Sequence, residues 1–185
     1  MAVDTGLDQP IEQRVARAWE VLQGVLDPEV PVISVCELGI VRDVQASDKG
    51  VVVVMTPTYS GCPATEAIEH SMRDALEAAG LGPVAVRTQR APAWTTDWIT
   101  DEGRRKLQAY GIVPPCSVGG GSSPADGARP GVVMRFVPRR PVAALACPHC
   151  ASTDTERLAA FGSTACKALY RCRACGEPFE YFKPL

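Results

Sequence analysis

Cysteine is the residue type whose placement says most in this chain. Cys147-Pro148-His149-Cys150 and Cys172-Arg173-Ala174-Cys175-Gly176 are two Cys-x-x-Cys pairs, separated by the 21 residues from 151 to 171. Four thiolates at these intervals can converge on one tetrahedral ion. Zinc best suits four soft sulfurs with no open position, with iron on the same four as the lesser alternative. A tail this short buries little core, so a bound metal would supply folding free energy that it otherwise lacks. Cys147, Cys150, Cys172 and Cys175 are therefore read as structural zinc ligands. They say how one module is held together, not what the protein does. His149, inside the first pair, reads as a donor beside the site more readily than as a replacement ligand. Cys166 reads as a strand residue beside the metal, with an alternative-ligand role left open.

Cys62 is the second focus. It stands in Thr56-Pro57-Thr58-Tyr59-Ser60-Gly61-Cys62-Pro63, a loop that feeds a helix. Unpaired N–H groups and the helix dipole favour negative charge at such a junction, so a lowered thiol pKa is expected there. An inert buried cysteine is the plainer alternative. A Cys–His dyad has little support. His70 is eight residues further along the same helix, about 12 Å of rise, and His149 lies inside the metal motif. Cys62 also has no Cys-x-x-Cys partner, which argues against thioredoxin-type exchange. A lone thiolate suits handling of iron or a cluster, above all where a homodimer or a partner supplies more ligands. Asp27, Glu29 and Glu37 are carboxylates in irregular stretches that could line the same edge, although solvated turn acids are the simpler reading of all three. Cys36 reads as a core residue and Cys116 as a linker residue.

The elements that must position these groups follow from periodicity. Residues 11–26 have Ile11, Val15, Ala18, Leu22 and Leu26 on one helical stripe, ended by Asp27-Pro28. Ile40, Val41 and Val44 predict a strand, and Val51 to Met55 a second one buried on both faces, with Ser47-Asp48-Lys49-Gly50 as the turn. A helix is expected from about Pro63 to Ala79, with Ile68, Met72, Ala75 and Leu76 inward. A strand follows over Val84, Val86 and Thr88, then a short helix capped at Thr100. Trp94, Trp98 and Tyr110 either face a partner or seal the sheet against that last helix.

The fold class is α/β (α+β): a small sheet with packed helices, followed by a small β ribbon. The first domain is expected over 1–113, a Pro/Gly/Ser-rich linker over 114–131, and a zinc ribbon over 132–185, with strands near 156–161, 165–171 and 179–182.

Composition narrows the function. With 185 residues and 46% apolar content, the chain can bury a real core. A formal net charge of −2 gives no electrostatic case for nucleic acid, and Lys167, Arg171 and Arg173 are weak evidence for one. No run approaches the roughly twenty apolar residues of a membrane span. The N-terminal segment, with Asp4 and Asp8, does not read as a signal peptide. Paired Cys-x-x-Cys motifs point to a reducing cytoplasm rather than a disulfide framework.

Asp27-Pro28-Glu29-Val30-Pro31, Glu37-Leu38-Gly39-Ile40-Val41 and Thr58-Tyr59-Ser60-Gly61-Cys62-Pro63-Ala64 resemble the SufT-like family of iron–sulfur assembly factors, over roughly residues 11–115. Phe161-Gly162-Ser163-Thr164-Ala165-Cys166-Lys167-Ala168-Leu169-Tyr170 and Trp94-Thr95-Thr96-Asp97-Trp98-Ile99-Thr100 extend the likeness. Across nearly the whole chain it is similar to the PaaD family, components of bacterial phenylacetyl-CoA epoxidase systems that join such a domain to a zinc ribbon. The resemblance implies a place in aerobic phenylacetate breakdown, beside a diiron oxygenase and a reductase with flavin and a two-iron, two-sulfur centre. It implies an accessory role in maturing one of those metal centres, without independent turnover, and transient contact with iron or a cluster. The alternative is a structural or regulatory component that binds the oxygenase without handling iron. The residues agree with an accessory role. They hold no pattern of paired Glu-x-x-His helices, no dinucleotide glycine fingerprint and no nucleophile–base pair.

Overall fold

The computed structural model describes residues 10–59, 61–115 and 145–184. From residue 116 onward the expected linker lies outside the described residues, as do Cys116, Asp4, Asp8 and Ser60.

The first module follows the expected element order. Helix α1 (Ile11–Gln23) is followed by β1 (Val41–Ser47), β2 (Gly50–Met55), α2 (Thr65–Ala78), β3 (Val84–Thr88) and α3 (Asp101–Ala109). Strand β2 is central. It pairs antiparallel with β1 and parallel with β3, and is buried over most of its length, as its valine run predicts. Helix α1 packs on β1, α2 packs on β3, and the helices touch each other.

The stripe of α1 differs from the expectation. Its buried side chains are Arg14, Ala18 and Leu22, while Ile11 and Leu26 are exposed. Arg14 sits at the same i, i+4 spacing as the apolar pair. It donates from Nη1 to the Ser47 carbonyl at 2.8 Å, which ties the helix to the β1–β2 turn. Its Nε and Nη2 have no partner among the described residues, and nothing in the packing explains that cost. Helix α3 starts as predicted, with the Thr100 hydroxyl accepting from the Gly103 N–H at 3.0 Å. Gly103 is fixed by close approach: a Cβ there would lie 2.9 Å from Ile33 Cδ1 and 3.0 Å from the Glu37 carbonyl.

The second sheet crosses the module boundary. Its order is β4 (Ile112–Val113), β7 (Pro178–Phe182), β6 (Lys167–Cys172), β5 (Thr155–Ala159). Strand β4 follows α3 and pairs in parallel with β7, Ile112 opposite Glu180 and Val113 opposite Tyr181. The ribbon of β5, β6 and β7 matches the sequence expectation; its attachment to the first module through β4 has no counterpart there.

Side chains cross the same boundary. Cys166 and Phe182 of the ribbon belong to the main core, beside Leu38, Ile40 and Ile68. The Phe182 ring lies 5.9 Å from that of Trp94. Trp94 is buried and donates from Nε1 to the Leu38 carbonyl at 3.0 Å, so it seals the first module against the ribbon. Trp98 stacks under the Arg42 guanidinium, and Tyr110 is exposed. A smaller core of Val113, Leu145, Cys147, Cys172, Phe179 and Tyr181 lies inside the ribbon.

Candidate functional site

The four ribbon cysteines converge. Their sulfurs all lie within 4.8 Å of one another, with Cys147 and Cys175 at 3.8 Å and Cys150 and Cys172 at 3.5 Å. A tetrahedral ion with metal–sulfur bonds of about 2.3 Å would have sulfur–sulfur edges of about 3.8 Å. The quartet therefore fits such an ion.

The two cysteine loops are built alike. Cys147 N–H donates to the Ser152 carbonyl and Ala151 N–H to the Cys147 carbonyl. Cys172 N–H donates to the Glu177 carbonyl and Gly176 N–H to the Cys172 carbonyl. Each loop turns on a left-handed residue, Ala151 at φ 61 and Gly176 at φ 82. Each also presents one buried cysteine, Cys147 or Cys172, and one exposed one, Cys150 or Cys175. The backbone N–H of Cys175 brings the Cys172 thiol down to about 7, while, against the Glu177 N–H, burial and the neighbouring sulfurs push Cys175 up to about 12; the four sulfurs share protons, and a bound cation is what would release them. The His149 backbone N–H points at the Cys147 sulfur at 3.4 Å, while its ring lies against Gly111 of the first module.

Cys62 is half-buried and touches two spaces. On the inner side it lines a cavity of about 20 Å³ with Asp27, Glu29, Thr65, Cys166 and Phe182 among the walls. On the outer side it borders a surface groove of about 600 Å³, with Glu66, Glu69, Thr88 and Arg90 along it. Cys62 thus borders both the inner cavity and the open groove.

The expectation of a lowered Cys62 pKa is overturned: burial pushes this thiol up. Helix α2 begins at Thr65, so Cys62 stands before its first turn rather than on it. The Ala64 N–H and the Thr65 hydroxyl favour the thiolate, but desolvation together with the Glu29 and Asp27 carboxylates outweighs them.

The predicted carboxylates divide. Asp27 is buried, not solvated. Its Oδ1 accepts from the N–H groups of Glu29 and Val30, both at 2.9 Å, and desolvation raises its pKa against those bonds. Glu29 also lines the cavity, and burial and the neighbouring Asp27 raise its pKa. Glu37 is not among the cavity walls. Its Oε2 accepts from the Ser34 N–H at 2.9 Å, and its Oε1 lies 2.6 Å from Lys106 Nζ of α3. It braces the loop before β1 against α3.

Cys166 is not beside the metal quartet. It lies in the turn before β6, while Cys172 ends that strand, about 20 Å away at strand rise. It lines the Cys62 cavity instead, with the Thr164 hydroxyl 3.0 Å from its sulfur. Next to it, Lys167 is buried and pairs with Glu180 at 2.8 Å. Sequence spacing points to Cys172 because only six positions separate the two cysteines, whereas the extended strand between them carries them to opposite ends of β6.

Two family models divide the chain between them and give its class, an iron–sulfur cluster assembly domain joined to a zinc β ribbon domain. Residues 16–87 match the family described as "Iron-sulfur cluster assembly protein", and residues 135–183 match the "PaaD zinc beta ribbon domain". An Escherichia coli K12 protein, provisionally named as the D component of 1,2-phenylacetyl-CoA epoxidase, is 45% identical over 92% of this chain and 93% of its own length. The chain belongs to the PaaD family. An "Fe-S protein maturation auxiliary factor" of Porphyromonas gingivalis is 34% identical over 46% of this chain and 83% of its own length. A crystal structure of a domain of unknown function, DUF59, from Bacillus anthracis has 25% identity and a TM-score of 0.49, covering 52% of this chain and 93% of that one. No helix among the described residues is long and apolar enough to cross a membrane.

Proposed function

We propose that this protein is an accessory component of a phenylacetyl-CoA epoxidase system that matures an iron–sulfur or iron centre of the oxygenase or reductase. The observation that carries this reading is Cys62. It is a thiol with one side on a carboxylate-lined cavity and the other on an open groove, which suits a cargo that must enter and leave. Zinc in the ribbon quartet is structural in this reading, because four cysteines leave no open coordination position. Its ligands would be Cys147, Cys150, Cys172 and Cys175. Iron or a cluster is cargo at Cys62, flanked by Asp27 and Glu29, while Glu37 serves the scaffold.

The test is a host strain carrying Cys62→Ser. The reductase purified from it should have normal polypeptide yield and flavin but a several-fold deficit of iron and acid-labile sulfide. The purified variant should still hold one zinc per chain. Fully loaded reductase from that strain would overturn the reading. If Cys147→Ser then abolished association with the oxygenase, the role would be structural.

A further inference from the structure

The ribbon closes the Cys62 cavity from one side. Among the described residues Cys166 and Phe182 are the ribbon's share of its walls, while Asp27, Leu38, Ile40, Cys62, Ile68 and the others belong to the first module. We propose that the ribbon is a metal-latched cap on this cavity. While the cysteine quartet holds its ion, Cys166 and Phe182 stay seated; loss of the ion lifts them and opens the inner side of Cys62. This goes beyond the reading of Cys62 as a cargo site and holds whatever that thiol carries.

Three observations carry it. The cap fits closely: Cys166 and Phe182 are 6% and 1% exposed, and the space left beneath them is about 20 Å³, room for a single water. The cap and the quartet also lie at opposite ends of the same two strands. In the β6–β7 ladder Lys167 faces Phe182 at the cavity end, and Arg171 faces Pro178 at the other end, where Cys172 closes β6. Finally, the ribbon has little else to keep it folded. Of the six buried side chains in its own core, two are the quartet cysteines Cys147 and Cys172, and Val113 comes from the first module.

The direction of the coupling follows from where each module gets its stability. A ribbon this small depends on its ion for folding free energy, so metal loss releases the strands that carry Phe182 and Cys166. The first module has its own sheet of β1, β2 and β3, and its core takes only Cys166 and Phe182 from the ribbon. It can therefore outlast the cap. The seat itself is light: across the boundary, backbone pairing among the described residues is the two-residue β4–β7 ladder.

The experiment uses the full chain, reduced and anaerobic, either loaded with one equivalent of zinc or stripped by a chelator. Pulse alkylation is read on tryptic peptides 18–42, 50–73 and 158–167, which carry Cys36, Cys62 and Cys166 as their single cysteines. With zinc, Cys166 should be protected. Removal of zinc should speed Cys166 roughly tenfold or more and Cys62 about threefold, and return of zinc should reverse both. Cys36, half-buried in the first module and not among the cavity walls, should stay within about twofold as the control for local opening. Cys166 or Cys62 reacting equally with and without zinc would overturn the inference, because the cap would then hold without its latch. A matching rise at Cys36 would overturn it too, because the whole chain rather than the cap would then depend on the ion. Phe182→Ala gives the converse: with zinc still bound, it should quicken Cys166 and Cys62, and unchanged rates would refute the cap. None of these results bears on iron loading of the reductase, which tests the Cys62 reading separately.

Discussion

Replacing Phe182 by Ala tests how firmly the ribbon is seated in the first module. The side chain is 1% exposed, lies in the main core although it belongs to β7, and meets Trp94 at 5.9 Å with ring planes at 46°. Truncating a buried Phe costs about 3–5 kcal/mol, part of it from the cavity left behind. In a protein of this size each kcal/mol moves the midpoint by about 2–4 °C, so the expected drop is about 6–20 °C. Thermal melting by near-ultraviolet circular dichroism is the assay, because Trp94 loses its ring partner in the same event. Phe182→Leu keeps most of the volume and should cost about 1.5 kcal/mol or less. The metal content of the cysteine quartet should be the same in both variants as in wild type, since the quartet sits at the other end of the ribbon. A Phe182→Ala protein melting within about 2 °C of wild type, below the smallest shift expected from such a loss, would mean the interface contributes little, and the reasoning would fail.

Glu180→Gln should destabilise by about 3–5 kcal/mol in urea titrations at neutral pH, because it leaves the Lys167 ammonium buried and unpaired. Lys167→Met combined with Glu180→Gln should recover most of that loss. Burial works against Glu180, but Lys167 and the Ser163 N–H hold its carboxyl below the ordinary 4.5. The stability it contributes is therefore present above that value and should fade as pH falls through its lower folded pKa; a flat stability profile through that window would refute this. Peptide-resolved alkylation of metal-free protein should find Cys62 reacting more slowly than an ordinary thiol at neutral pH and accelerating only as pH rises past the usual 9.0. Glu29→Gln should move that rise to lower pH, since it removes a neighbouring negative charge. Asp27→Ala should cost about 1–3 kcal/mol in urea by stranding two N–H groups, and Asp27→Asn distinctly less.

Local features of the fold are legible in the sequence. The valines from 51 to 54 announce a central strand, Thr100 announces the start of α3, and the two Cys-x-x-Cys motifs announce their own geometry, because each depends on residues a few positions apart. What stays hidden depends on distant residues. Nothing near Val113 says that it will lie beside Tyr181, and nothing near Cys166 says that it will line the same cavity as Cys62. Arg14 escapes a sequence reading because a charged residue is a poor candidate for a buried stripe. The direction of the Cys62 shift is misjudged from sequence for the same kind of reason. A helix end is visible in sequence, whereas desolvation and the carboxylates arriving from residues 27 and 29 emerge only on folding.

The alternation of sheltered and open sulfurs gives the ribbon centre a wet side and a dry side. Cys147 and Cys172 face packed hydrocarbon, while Cys150 and Cys175 meet water. Peroxide, electrophiles and competing chelators therefore arrive from one direction. Damage should begin with those two outward sulfurs, while the inward pair keeps the two halves of the ribbon gripped together until the ion departs.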